Sequence, residues 1–104
     1  MTAFTRLDAS TQTPRARALG EIRRAVARVG GVLLDFQLSA RESARLTVEL
    51  IPAALALLAD ALEGCGVALA EGCRERIERG AAAPADGRLV ALLHVTFLLP
   101  DPDP

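Results

Sequence analysis

Two stretches of two-residue alternation lie four residues apart in the middle of this chain, and together they restrict its fold more than any other feature. In residues 32–39, Val32, Leu34, Phe36 and Leu38 alternate with Leu33, Asp35, Gln37 and Ser39. In residues 44–51, Ala44, Leu46, Val48 and Leu50 alternate with Arg45, Thr47, Glu49 and Ile51. Side chains on a strand alternate faces, so each stretch presents one face to a core and leaves the other largely wet. The four residues between them, Ala40 to Ser43, are short enough for a hairpin, which predicts an antiparallel pair with one solvated face.

Helical periodicity flanks this hairpin. Leu19, Ile22, Val26 and Val29 recur at steps of three and four and share one face. Thr13 is expected to cap that helix, with Pro14 in its first turn, where a missing N–H is harmless. Gly30-Gly31 ends it. Pro52 opens a second helix with Leu55, Leu58, Ala59 and Leu62 on its buried stripe, stopped by Gly64 and Gly66. Residues 2–9 are read as a first strand and 10–14 as a loop. Residues 67–70 can return as a further strand. The charged residues 71–79 fit either an extension of that strand or a helical turn, and residues 80–87 read as an Ala/Pro/Gly loop.

Residues 88–99 form the most apolar strand. Leu89, Ala91, Leu93, Val95, Phe97 and Leu99 fill one face, and Val90, Leu92 and Leu98 flank His94 and Thr96 on the other. A strand apolar on both sides is central or covered by a partner. The fold expected is α+β: a ferredoxin-like βαββαβ succession with an additional C-terminal strand, an antiparallel sheet and two helices on one face. One domain is expected over residues 1–99, with the Pro/Asp run 100–104 as a frayed tail.

Composition narrows the function. Hydrophobic residues make up 51% of 104 residues, enough for one core and too few residues for two domains. The formal net charge is -1, so no overall field draws the chain to nucleic acid or an anionic membrane. All 12 basic residues are Arg. RNA-binding sheets of this kind stack bases on aromatics; three Phe with no Tyr or Trp make no such platform, so neither nucleic acid nor membrane is expected as a partner. The apolar runs fall short of the ~20 residues a membrane span needs. No basic start followed by an apolar run precedes Thr13, so a cytoplasmic location with reduced thiols is expected.

Catalytic and metal patterns are missing. Cys65 and Cys73 are too far apart for a CxxC motif, and His94 is the sole histidine. Zinc needs about four ligands, so no metal or other cofactor is expected. A Cys-His nucleophile pair needs an orienting group. Asp35 and Glu49 are expected on the solvated face of the hairpin, without a pocket that would prepare them for acid–base work. No catalytic residues are assigned.

The run Leu19-Gly20-Glu21-Ile22-Arg23-Arg24-Ala25-Val26-Ala27-Arg28-Val29-Gly30-Gly31, then Val32 to Phe36 and Ala44 to Leu50, and finally Ala56 to Val67, resembles the ACT domains. Within them it is most similar to the small regulatory subunits of acetolactate synthases. The likeness spans residues 2–71. It implies a regulatory module that senses an amino acid or related carboxylate, works as a homodimer, and docks on an enzyme catalytic subunit. Amino-acid-binding members carry a Gly before the first helix. Here the corresponding position falls near Arg17, in a loop without Gly. The helix start is nonetheless the expected ligand site. Thr11, Gln12 and Thr13 offer polar groups there, and Arg15 and Arg17 offer charge-assisted hydrogen bonds beside the first-turn amides. Two other readings remain open. One is an interaction module without a ligand, and the other is a small dimeric α+β barrel enzyme enclosing His94.

Overall fold

The structure is a computed structural model that describes residues 3–38, 42–81 and 87–98. Eight elements follow one another: β1 (Ala3–Thr11), α1 (Arg15–Arg28), β2 (Val32–Leu38), β3 (Ser43–Leu50), α2 (Ala54–Gly64), β4 (Val67–Leu69), α3 (Cys73–Ala81) and β5 (Leu89–Phe97). Five strands form one sheet in the order β2-β3-β5-β1-β4. The expected frayed segment 100–104 lies outside the described residues.

The expected α+β class and the β2–β3 hairpin are present, and β5 is where its two apolar faces demand. It lies in the middle of the sheet, antiparallel to β3 and parallel to β1. The sheet is therefore mixed, where the sequence suggested an all-antiparallel one. Leu93 sits between Leu7 and Leu46, and Val95 between Ala9 and Ala44, all buried on the face that the helices cover. Ala18, Ile22, Ala25 and Val26 of α1 and Leu55, Leu58, Ala59 and Leu62 of α2 close that core.

The described residues hold three helices, where the sequence suggested two. Cys73 and Ile77, four residues apart, are buried, and the charged residues between them face outward, so the segment 73–81 satisfies an amphipathic helix with only two large contacts. Gly72, at φ +89°, turns the chain from β4 into this helix. Arg74 pairs with Asp60 and Glu63 of α2. β4 pairs with Ala9–Thr11 of β1, and α3 lies against the same edge at Arg6 and Asp8. The Ala70 amide donates to the Asp8 carbonyl at 2.8 Å, the Cys73 thiol reaches the same oxygen at 3.4 Å, and Arg76 Nη1 donates to the Arg6 carbonyl at 3.0 Å. An edge whose carbonyls are occupied does not template another strand.

A bulge shifts the register of β2 between Leu33 and Asp35. Leu33 and Phe36 consequently share the helix-side face, opposite Val48 and Leu46, while Asp35 and Gln37 join Thr47 and Arg45 on the open face. The alternation read from sequence holds over 35–38 and breaks at Leu34, where an extra residue is accommodated. The open face is crossed by registered rows. One runs Asp8–His94–Arg45–Gln37. In another, Glu49 forms an ion pair with Arg88 at 3.2 Å. No described helix is long and apolar enough to cross a membrane.

Candidate functional site

The β1–α1 connection is fastened before it reaches any ligand. Thr11, the last residue of β1, is 2% exposed. Its hydroxyl donates to the Gly66 carbonyl at 3.0 Å and accepts the Thr13 amide at 3.1 Å. The Thr11 carbonyl accepts the Leu98 amide at 2.9 Å. Gly66 has φ +84°, and a Cβ on it would stand 3.6 Å from Thr13 Oγ1. One buried threonine therefore ties the loop to the turn between α2 and β4 and to the end of β5. This corrects the expectation for Thr11, whose hydroxyl is engaged in the fold and has no hydrogen to offer a ligand.

Thr13 does not cap α1. Pro14 occupies the cap position without a side-chain bond, and its carbonyl accepts the Ala18 amide at 2.9 Å. Proline takes this place because its fixed φ and missing donor suit the approach to a first turn whose amides have no intrahelical partner.

Thr13 instead stands between two clefts. One is lined by Ser10, Thr11, Gln12, Thr13, Gly66, Ala68 and Leu98. The other is a groove of ≈ 430 Å³ along α1, bounded by Thr13, Arg17, Glu21, Arg24 and Arg28 and, at the end of α2, by Gly64 and Cys65. Positions 17, 21, 24 and 28 follow steps of four, three and four, which places them on one flank of a helix. Of the predicted residues, Thr13 and Arg17 reach this groove, Gln12 lines the neighbouring cleft, and Arg15 lines neither.

The electrostatics of the groove are lopsided. Arg17 Nε lies 3.3 Å from Glu21 Oε1, an ordinary i,i+4 pair. Arg24 and Arg28 have no ion-pair partner among the described residues. The negative end of α2 is largely quenched: the Cys65 amide donates to Ala61 and Leu62, and the Gly66 amide to Glu63. Two open guanidiniums thus share a concave surface with one carboxylate acceptor. The sequence contained the signal in its spacing, but these arginines read there as a solvated helix face, because nothing in the pattern showed that a helix end lay beside them.

The other candidates separate in space. Cys65 borders the α1–α2 groove, while His94 sits on the open face of the sheet with Nδ1 4.0 Å from Asp8 Oδ1. The two lie on opposite sides of the sheet and cannot act as a nucleophile pair. Both cysteines are free thiols. No family model, characterised protein sequence or solved structure matches this chain.

Proposed function

We propose that this domain is an ACT-like regulatory module, acting as a homo-oligomer, that senses an amino acid or a closely related small carboxylate in the α1–α2 groove. The observation that carries this reading is the pair of guanidiniums, Arg24 and Arg28, on the wall of that groove, without ion-pair partners among the described residues. A guanidinium offers a planar fork of donors that matches a carboxylate, and such charge-assisted bonds are stronger than neutral ones. Glu21 supplies an acceptor for an ammonium group at the other end of an amino acid. A ferredoxin-like core is the fold this reading requires, and without β5 the sheet order becomes β2-β3-β1-β4, as in such a core. Regulation then requires ligand and enzyme contact to share one equilibrium, with a coupling of about 1–3 kcal/mol.

Thermal unfolding against the common amino acids and keto acids tests this. A ligand at about 100 times its dissociation constant adds about 2.7 kcal/mol, which moves the midpoint of a domain this size by roughly 10–20 °C. In Arg24→Ala/Arg28→Ala the ligand-induced shift should vanish while the unliganded midpoint stays within a few degrees, because exposed substitutions typically change stability by about 0.5 kcal/mol or less. If none of these acids moves the wild-type midpoint, the sensing role is wrong.

A further inference from the structure

The chain leaves the sheet beside the groove that it lines with arginine. The Leu98 amide donates to the Thr11 carbonyl at 2.9 Å, and Leu98 lines the cleft next to Gln12 and Thr13. Thr13 borders both that cleft and the α1–α2 groove. The residues that follow Leu98 therefore start next to the mouth of the groove.

Their charge is the reverse of the groove's. Residues 99–104, outside the described residues, read Leu-Pro-Asp-Pro-Asp-Pro, with two carboxylates and no basic side chain. The groove sets three guanidiniums, those of Arg17, Arg24 and Arg28, against the one carboxylate of Glu21, an excess of two positive charges. Glu21 answers Arg17, while Arg24 and Arg28 have no ion-pair partner among the described residues. Most other arginines offer less: Arg74 pairs with Asp60 and Glu63, Arg88 with Glu49, and Arg6 and Arg76 with Asp8.

We infer that residues 99–104 turn back over Thr13 and lie along the α1 flank of the groove, with Asp103 between the guanidiniums of Arg24 and Arg28 and Asp101 near Arg17. The lengths agree. A Pro-Asp-Pro-Asp-Pro run favours the extended polyproline II form, at about 3.1 Å per residue, because each proline fixes its own φ and restricts the residue before it. Asp103, the fifth residue past Leu98, reaches about 15 Å in that form. Arg24 lies about 16 Å along the helix from Thr13, and helical side chains lean toward the N-terminus, which brings its guanidinium back within reach. Arg28 follows one turn later on the same flank and leans toward Arg24. A run so restricted also has less freedom to lose on docking than a flexible one. Once docked, it occupies the place of the acid proposed above and competes with it.

Paramagnetic broadening reads the docked run in the whole chain without ligand. In Cys65→Ser/Pro104→Cys a nitroxide attaches only at position 104, because Cys73 is buried. The Nε–Hε signals of Arg24 and Arg28 should broaden about three times more than in the same chain carrying D101N/D103N, where the charge-assisted bonds are lost. Mixing the spin-labelled chain with an isotope-enriched chain that carries no nitroxide shows whether the run docks on its own chain or on a second copy. Equal broadening with aspartate and asparagine, broadening confined to the cleft at Gln12 and Ala68, or broadening of Arg24 and Arg28 in the second copy would each overturn the proposal. The competition, unlike the docking, rests on the sensing role. Two exposed ion pairs of ordinary strength hold the run docked most of the time, so deleting residues 99–104 should tighten the acid by about fivefold. An acid that binds the shortened chain no better would show that the run and the ligand do not share the groove. If no acid binds either chain, the sensing role falls and the broadening still decides the docking.

Discussion

Leu93→Ala should destabilise the domain by about 2–5 kcal/mol, enough to lower its thermal midpoint by roughly 10 °C or more. Leu93 is fully buried at the centre of β5, with Leu7 on one neighbouring strand and Leu46 on the other. Truncation removes apolar contact on both sides at once. The flanking strands are held by their own ladders and collapse little into the space, so the residual cavity adds to the lost transfer energy. Urea titration is the measurement: the midpoint should fall with little change in slope. A loss below about 1 kcal/mol would mean that the site relaxes and that β5 is not the rigid centre of the sheet.

The second large effect is expected at Thr11. Thr11→Val keeps the shape of the side chain and removes its hydroxyl, leaving the Gly66 carbonyl and the Thr13 amide without the partner each has now. Gly66 is exposed and Thr13 half-buried, so water answers part of the loss, and each of the two lost bonds costs about 0.5–1.5 kcal/mol. Thr11→Ser keeps the hydroxyl and should lose much less. The comparison separates hydrogen bonding from packing. Because the same hydroxyl fixes Thr13 at the mouth of the groove, the sensing role proposed above requires that Thr11→Val also weaken ligand binding there. A valine variant as stable as the serine one would remove the threonine latch from the account.

The legible parts of the fold were those where pattern and punctuation agreed. The α1 stripe, the β2–β3 hairpin and the glycines at 30 and 66, with φ +79° and +84°, were all visible in the sequence. Both apolar faces of β5 marked it as central, but no local pattern names the strands between which a central strand inserts. α3 stayed ambiguous because Cys73 and Ile77 are its only buried positions among the described residues, too few to set a period. The bulge at Leu34 was hidden by three consecutive apolar residues, Val32 to Leu34, any of which fits either face. At the β1–α1 loop, the sequence made Thr13 the cap of α1, whereas Pro14 holds that place and Thr13 is bonded to Thr11. Thr11 turned inward because its partner is Gly66, 55 residues away, and Arg24 and Arg28 gained significance only from the end of α2. Both depend on long-range proximity, which periodicity does not encode.

The central position of β5 also sets a schedule. Every other element precedes it in the chain, yet β3 and β1 touch each other in the sheet only through it. During synthesis the β2–β3 hairpin and the β1–β4 pair can form early, but each then has an inner edge with nothing to bond to, and the cavity between them is lined with Leu7, Leu46 and Val48. Joining β1 to β5 brings together residues more than 80 positions apart, the kind of contact that slows folding and lengthens exposure of unpaired strands. A nascent chain that holds β1 to β4 without β5 therefore exposes two unpaired inner edges, and a chaperone that shields them should raise its yield.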